Sequence, residues 1–237
     1  MKPENLIYID VETVPIAKTY DDLDVEQQTL WIENIKYSKE YNTYDILGLQ
    51  ASWEKAGFYP EFAKIVCIGI GYFERDTDSD KVKYKTSLHI SADNERLIIQ
   101  EAFEQITRLS SNRDGIMSYD GRRFDYPFMI KRAIIRGILL PEFFKIINKK
   151  PWDVKLYDMK EIWKFGGTSN ISINALAKSL QIELPKKQYD KIDIPKVIGE
   201  NSGILNIQNH CFNHITCLVM IYFRVLYNTE VKLKYRE

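Results

Sequence analysis

The chain has 237 residues, 45% of them apolar and 13% aromatic, with 33 basic side chains balanced by 33 acidic ones. That length suits one α/β domain with insertions better than two domains. The zero net charge excludes a protein that coats nucleic acid by bulk electrostatics, but leaves room for a local basic groove serving one strand end.

In chain order, residues 6–9 predict a short apolar strand that ends in acidic residues. Residues from about 17 to 57 are polar and tyrosine-rich, and read as an insertion capping one edge, with a helix over 25–37. Residues 63–73 are nearly all apolar and predict a strand buried on both faces. Residues 81–90 predict its antiparallel partner, across a charged turn at 75–80. Asp93 opens an amphipathic helix with Leu97, Ile98, Ala102, Phe103 and Ile106 at helical spacing. A strand over 115–118 follows, then a helix over 126–136 closed by Gly137. Residues 152–157 predict a last strand, and 158–165, 172–180 and 203–227 predict helices, with Ser172 as an N-cap.

Antiparallel strands first and βα units afterwards describe an α/β fold, a central mixed five-stranded sheet flanked by helices, in a single domain over 1–237. Cys67, Cys211 and Cys217 are odd in number and lack CxxC spacing, which fits buried thiols in a reducing compartment. No signal peptide precedes the first strand, and no apolar run approaches the roughly 20 residues of a membrane span, so a cytoplasmic protein with no membrane contact is expected.

Two short stretches carry chemistry. Asp10 and Glu12 are two apart, so strand geometry puts both carboxylates on one face, where their mutual repulsion is commonly relieved by a divalent cation. An ordinary solvated strand end fits the same two acids. Asp125 follows Phe124 at the mouth of a helix, where an aspartate serves as an N-cap, a metal ligand or both. Arg122 and Arg123 are either a solvated turn or phosphate contacts.

Ile9-Asp10-Val11-Glu12-Thr13 resembles the first motif of the DEDD 3′–5′ exonucleases, and Asp120-Gly-Arg-Arg-Phe124-Asp125 is similar to the second motif of family-B DNA polymerase proofreading domains. More closely, the chain resembles bacterial stand-alone predicted exonucleases related to that domain. Ala63-Lys-Ile-Val-Cys-Ile68, Lys149-Lys-Pro-Trp152, Asp158-Met-Lys-Glu-Ile-Trp-Lys-Phe-Gly166 and Asn174-Ala-Leu-Ala-Lys178 extend the likeness over nearly the whole chain. The resemblance implies a ribonuclease H-like exonuclease fold and a two-metal phosphodiesterase acting on a single-stranded DNA 3′ end, with RNA still open. Asp10, Glu12 and Asp125 would hold Mg2+ or Mn2+, while Thr13, Asp120, Arg122, Arg123 and Phe124 would contact the strand.

The pattern breaks in the last helix. The third motif, Tyr-x-x-x-Asp in such relatives, falls on His210-Cys-Phe-Asn-His214, and no Asp or Glu occurs between Glu200 and Glu230. An Asp→His change removes a negative charge and an oxygen ligand; imidazole is poor for magnesium but serviceable for manganese or zinc. His210 can orient a water, its unperturbed pKa of about 6.5 suiting base work. Asp120 replaces an asparagine, where it would repel a phosphodiester or restore lost charge near the metal. The loop Lys191-Ile-Asp193-Ile-Pro195-Lys-Val197 lacks the Gly-Ser that follows the aspartate in the relatives. Three functions are therefore open: a weakened or metal-shifted exonuclease with His214 as substitute ligand, an inactive relative that binds nucleic acid or protein, and a zinc or nucleotide module built on His210 and His214. Tyr37, Tyr41 and Tyr44 either stack on bases or pack the insertion.

Overall fold

The computed structural model describes residues 1–36, 46–75, 82–183, 203–231 and 233. Tyr37, Tyr41 and Tyr44, the turn beyond Arg75, and the 191–197 loop lie outside them.

Five strands form one sheet in the order β3-β2-β1-β4-β5. They are β1 (Leu6–Pro15), β2 (Ala63–Arg75), β3 (Val82–Ile90), β4 (Gly115–Ser118) and β5 (Leu156–Asp158). The central strand β1 runs antiparallel to β2 and parallel to β4, so the sheet is mixed, as expected from the sequence. Helices α3 (Glu95–Ser110) and α4 (Asp125–Ile135) cover one face, and α6 (Ile173–Ser179) and the long α7 (Gly203–Tyr227) cover the other.

The two faces are sorted by the period of β1. Ile7, Ile9 and Val11 join Ile98, Ala102, Phe128 and Met129 in one core. Leu6, Tyr8 and Val14 join Ile207, Cys211, Ile215 and Leu218 of α7 in the other. Pairing of β1 with β2 is irregular between Glu12 and Thr13: Glu12 faces Cys67 and Thr13 faces Ile65. That bulge explains why neighbours Val66 and Cys67 both enter the α7-side core.

Several boundaries differ from the sequence reading: β2 runs on to Arg75, and α3 is capped by Asn94 rather than opened by Asp93. β1 does not end at Ile9 but continues through the acidic residues to Pro15, because β2 supplies backbone partners along its whole length. The last strand is Leu156–Asp158 rather than 152–157; a 3-10 turn at Pro151–Asp153 precedes it, with Trp152 turned out at 76% exposure. The next helix, α5, is Met159–Lys164, with Asp158 as its N-cap and Phe165 left-handed at its end. Gly137 closes α4 with φ +63°, as its place after the helix implies.

Between β1 and β2 lie α1 (Val25–Ile35) and α2 (Ile46–Trp53). They build a small core of their own, in which Trp31 meets Trp53, Tyr59 and Phe62 edge-on at 5.0, 5.4 and 5.1 Å. Among the described residues no helix is long and apolar enough to cross a membrane.

Candidate metal centre

Asp10 and Glu12 occupy even-numbered positions of β1, the positions that face α7. Opposite them on β2 stand Gly69, paired with Asp10, and Cys67, paired with Glu12. A Cβ on Gly69 would run into Ile215 Cδ1 and Cys211 Sγ, and one on Gly71 into Ile215 Cγ2 and the Tyr84 hydroxyl. The missing side chains thus let α7 lie directly on the sheet, and they set the height at which its histidines meet the carboxylates.

His210 and His214, one helical turn apart, stack with ring centroids 4.0 Å apart and planes tilted by 54°. His210 Nε2 lies 3.6 Å from Glu12 Oε1, and His214 Nδ1 lies 3.5 Å from Asp10 Oδ1 and 3.9 Å from Glu12 Oε1. Among the described residues, Asp10 Oδ2 and Glu12 Oε1 are buried without a hydrogen-bond partner. Buried, unpartnered carboxylate oxygens are costly, and a cation is the ligand that satisfies them. The donor set therefore fits a divalent metal ion.

Burial pushes Glu12 well above the ordinary carboxyl range, and the neighbouring Asp10 charge pushes it further. Burial pushes Asp10 up as well, but His214, His210 and Glu12 together outweigh it, so Asp10 sits below its usual value. Asp125 is raised by burial and by Asp10. Burial and the adjacent His214 lower His210 to about 4, so its ring is neutral at physiological pH. The Cys211 thiol is raised by burial and by Cys67, and it donates to the Asp10 carbonyl at 3.8 Å. A thiol so placed is not a nucleophile.

The remaining residues divide clearly. Asp125 is buried, and its Oδ2 accepts from the Ser118 hydroxyl at the end of β4. It is the first residue of α4 and not its cap; Phe124 holds the cap position without a side-chain bond. Asp125 feels the Asp10 charge, yet among the described residues it is outside the two tight groups, Glu12-His210-His214 and Asp10-Glu12-Cys211. Asp120 forms an ion pair with the mostly buried Lys160, Nζ to Oδ2 2.7 Å, and its charge still contributes to raising Asp125. Thr13 donates its hydroxyl to the Gly57 carbonyl at 2.7 Å, holding the 3-10 turn Ala56–Phe58 against the strand. Phe124 packs between Phe58 and Phe128, at 5.8 and 5.1 Å. Arg122 and Arg123 are exposed, with Arg122 Nε donating to the Leu156 carbonyl at 3.2 Å.

Sequence reasoning missed Asp158. Its Oδ1 accepts from the backbone N–H of Asp120 at 3.0 Å and of Lys160 at 2.9 Å, and its Oδ2 accepts from that of Arg122 at 3.0 Å. One buried carboxylate thereby caps α5 and pins the loop leading into Asp125. The capping half was readable from Asp158 three residues before Glu161; the loop half joins distant segments and leaves no local pattern.

Residues 58–228 match the family described as predicted 3′–5′ exonuclease related to the exonuclease domain of PolB. The match takes in Asp125, His210 and His214 and begins after Asp10 and Glu12. Among solved structures, the family B DNA polymerase of the hyperthermophilic archaeon Pyrobaculum calidifontis superposes with a TM-score of 0.56 at 10% identity, covering 95% of this chain. The chain spans about a quarter of that polymerase, 25% of its length, and the likeness is one of fold. No curated protein sequence matches the chain.

Proposed function

Because the chain belongs to the family of predicted 3′–5′ exonucleases related to the exonuclease domain of PolB, we propose that it hydrolyses phosphodiester bonds at the 3′ end of single-stranded DNA with the help of divalent metal ions. The observation that carries this reading is the convergence of Asp10 and Glu12 on one face of the central strand, each with a buried oxygen that no described residue hydrogen-bonds. Asp10, Glu12 and His214 would hold one ion, and Asp10 with Asp125 a second. Such ions, Mg2+ or Mn2+, stabilise charge on the phosphate and supply an activated water when bound.

The chain's own residues do the positioning. Ser118 and the Asp158-pinned loop orient Asp125. The Phe58–Phe124 pair, with Phe58 69% exposed, offers an apolar surface against which a terminal base packs. Arg122 and Arg123 lie at the surface of the same loop and would meet phosphates. Replacing a carboxylate by His214 removes one negative charge from the wall opposite Asp10, so trimming in magnesium is expected to be weaker than in a four-carboxylate relative.

The test is digestion of 5′-labelled single-stranded DNA, with an RNA strand of the same sequence alongside, in magnesium, in manganese and in zinc. Stepwise shortening lost in Asp10→Ala supports the reading. Strand binding that survives Asp10→Ala, with no digestion in any metal, would instead establish an inactive nucleic-acid-binding relative.

A further inference from the structure

We infer that Glu12, His210 and His214 form a site for one divalent transition-metal ion, with Asp10 at its open side, and that this site takes zinc in preference to magnesium. The inference rests on the proposed metal-dependent reading and deepens it by naming the ion and by making His210 a ligand rather than a base.

Three observations converge. The ligand atoms of Glu12, His210 and His214 all lie within 4.8 Å of one another. Two donors each about 2.1 Å from a tetrahedral ion stand roughly 3.4 Å apart. The observed separations, 3.6 Å from His210 to Glu12, 3.5 Å from His214 to Asp10 and 3.9 Å from His214 to Glu12, sit close to that edge length. They are also longer than ordinary N–H···O hydrogen bonds, so the contacts are better suited to surrounding an ion than to bonding each other. Glu12 is only 7% exposed, and its Oε1, the atom nearest both imidazoles, has no hydrogen-bond partner among the described residues.

The donor types then choose the metal. Magnesium demands oxygen ligands in an octahedron and dehydrates reluctantly; two imidazoles and a carboxylate are a borderline-soft set that suits zinc and its neighbours. Histidines at i and i+4 on a long, well-packed helix present both rings without further ordering.

Calorimetric titration of the chelator-stripped full chain with zinc chloride and with magnesium chloride, without DNA, tests this. One zinc per chain is expected with Kd below about 1 µM, against magnesium weaker than about 1 mM. His210→Ala and His214→Ala should each weaken zinc at least about tenfold, and His214→Asp should narrow the zinc-to-magnesium ratio by about tenfold or more. Circular dichroism checks the fold of each variant. If an alanine variant fails to fold, His210→Asn and His214→Gln replace it, and the rise in wild-type melting temperature on adding zinc gives a second readout. Zinc affinity unchanged in both His210 and His214 variants, or equal affinity for zinc and magnesium, overturns the inference. The outcomes separate from those of the nuclease reading. Asp10-dependent trimming in magnesium without a histidine-dependent zinc site sinks only this inference, whereas zinc binding without trimming in any metal sinks only the other.

Discussion

Glu12 sits at the centre of the sheet with one oxygen unpartnered among the described residues and its carboxyl held above the usual range by burial and by Asp10. A group in that position costs the metal-free fold stability, the trade-off expected of a residue that serves binding. Glu12→Gln removes the ionisable group at constant shape, and its amide N–H can donate to the Asp10 carboxylate at every pH. We expect the variant to gain about 1 kcal/mol in urea unfolding at pH 7 in the presence of chelator, and to lose any metal-dependent trimming. A loss of stability instead would mean that the Glu12 carboxylate is already satisfied without an ion. Asp10 and Glu12 were readable as a pair because strand period alone puts them on one face. That His210 approaches Glu12 while His214 approaches Asp10 was not readable, since it depends on where α7 crosses the sheet.

That crossing is decided by elements. Gly69 and Gly71 flatten the sheet under Cys211 and Ile215, so the seat of α7 is a property of β2. Gly69→Ala should cost about 1–3 kcal/mol by overpacking and should lift the histidines away from the carboxylates. Ile215→Val removes the Cδ1 atom that the new methyl would strike, so the double variant should recover part of the loss; a double-mutant cycle by thermal denaturation measures it. Simple additivity of the two changes would show that the helix seat lies elsewhere. On the other face, α3 is tied to α4 by Glu95, which receives Arg132 Nε at 2.7 Å and Arg136 Nε at 2.5 Å, and also takes the Ile65 N–H at 2.8 Å. Burial alone would raise Glu95, but Arg132, Ile65 and Arg136 outweigh it and hold the carboxyl below its ordinary value. The stability it contributes is therefore complete above the usual glutamate range and drains away as pH falls through the lowered folded value. Glu95→Gln, which leaves buried Arg132 without its counter-charge, should cost about 3–5 kcal/mol at pH 7. Denaturation at a series of pH values should show the gap to wild type closing in acid, and a gap that widens in acid contradicts this assignment.

At the scale of the whole molecule, long apolar runs such as 63–73 were legible because burial on both faces leaves no polar register to misread. The extent of β1 was not, because the carboxylates at 10 and 12 occupy positions that packing would otherwise fill with apolar side chains. The 46–53 helix was hidden for a different reason: its Trp53 is anchored by Trp31 and Phe62, partners remote in sequence. Charge is the property of the whole chain that composition states outright, 33 basic against 33 acidic side chains, and it has a measurable consequence for the proposed substrate. A protein without excess positive charge must hold a strand through a few local contacts, and Arg122 and Arg123 on the loop before Asp125 are exposed candidates for them. Each phosphate neutralised on a single strand contributes about −0.7 to the slope of log K against log salt, so two or three contacts predict a slope of about −1.4 to −2.1. Anisotropy of a labelled single-stranded oligonucleotide, titrated in chelator to prevent digestion, measures it. Arg123→Ala should make the slope shallower by about 0.7, and Arg122→Ala should do the same with an added loss of order, because its Nε also holds the Leu156 carbonyl. A slope steeper than about −4 would require a broad basic surface that the balance of charges does not supply, and would move strand binding away from this loop.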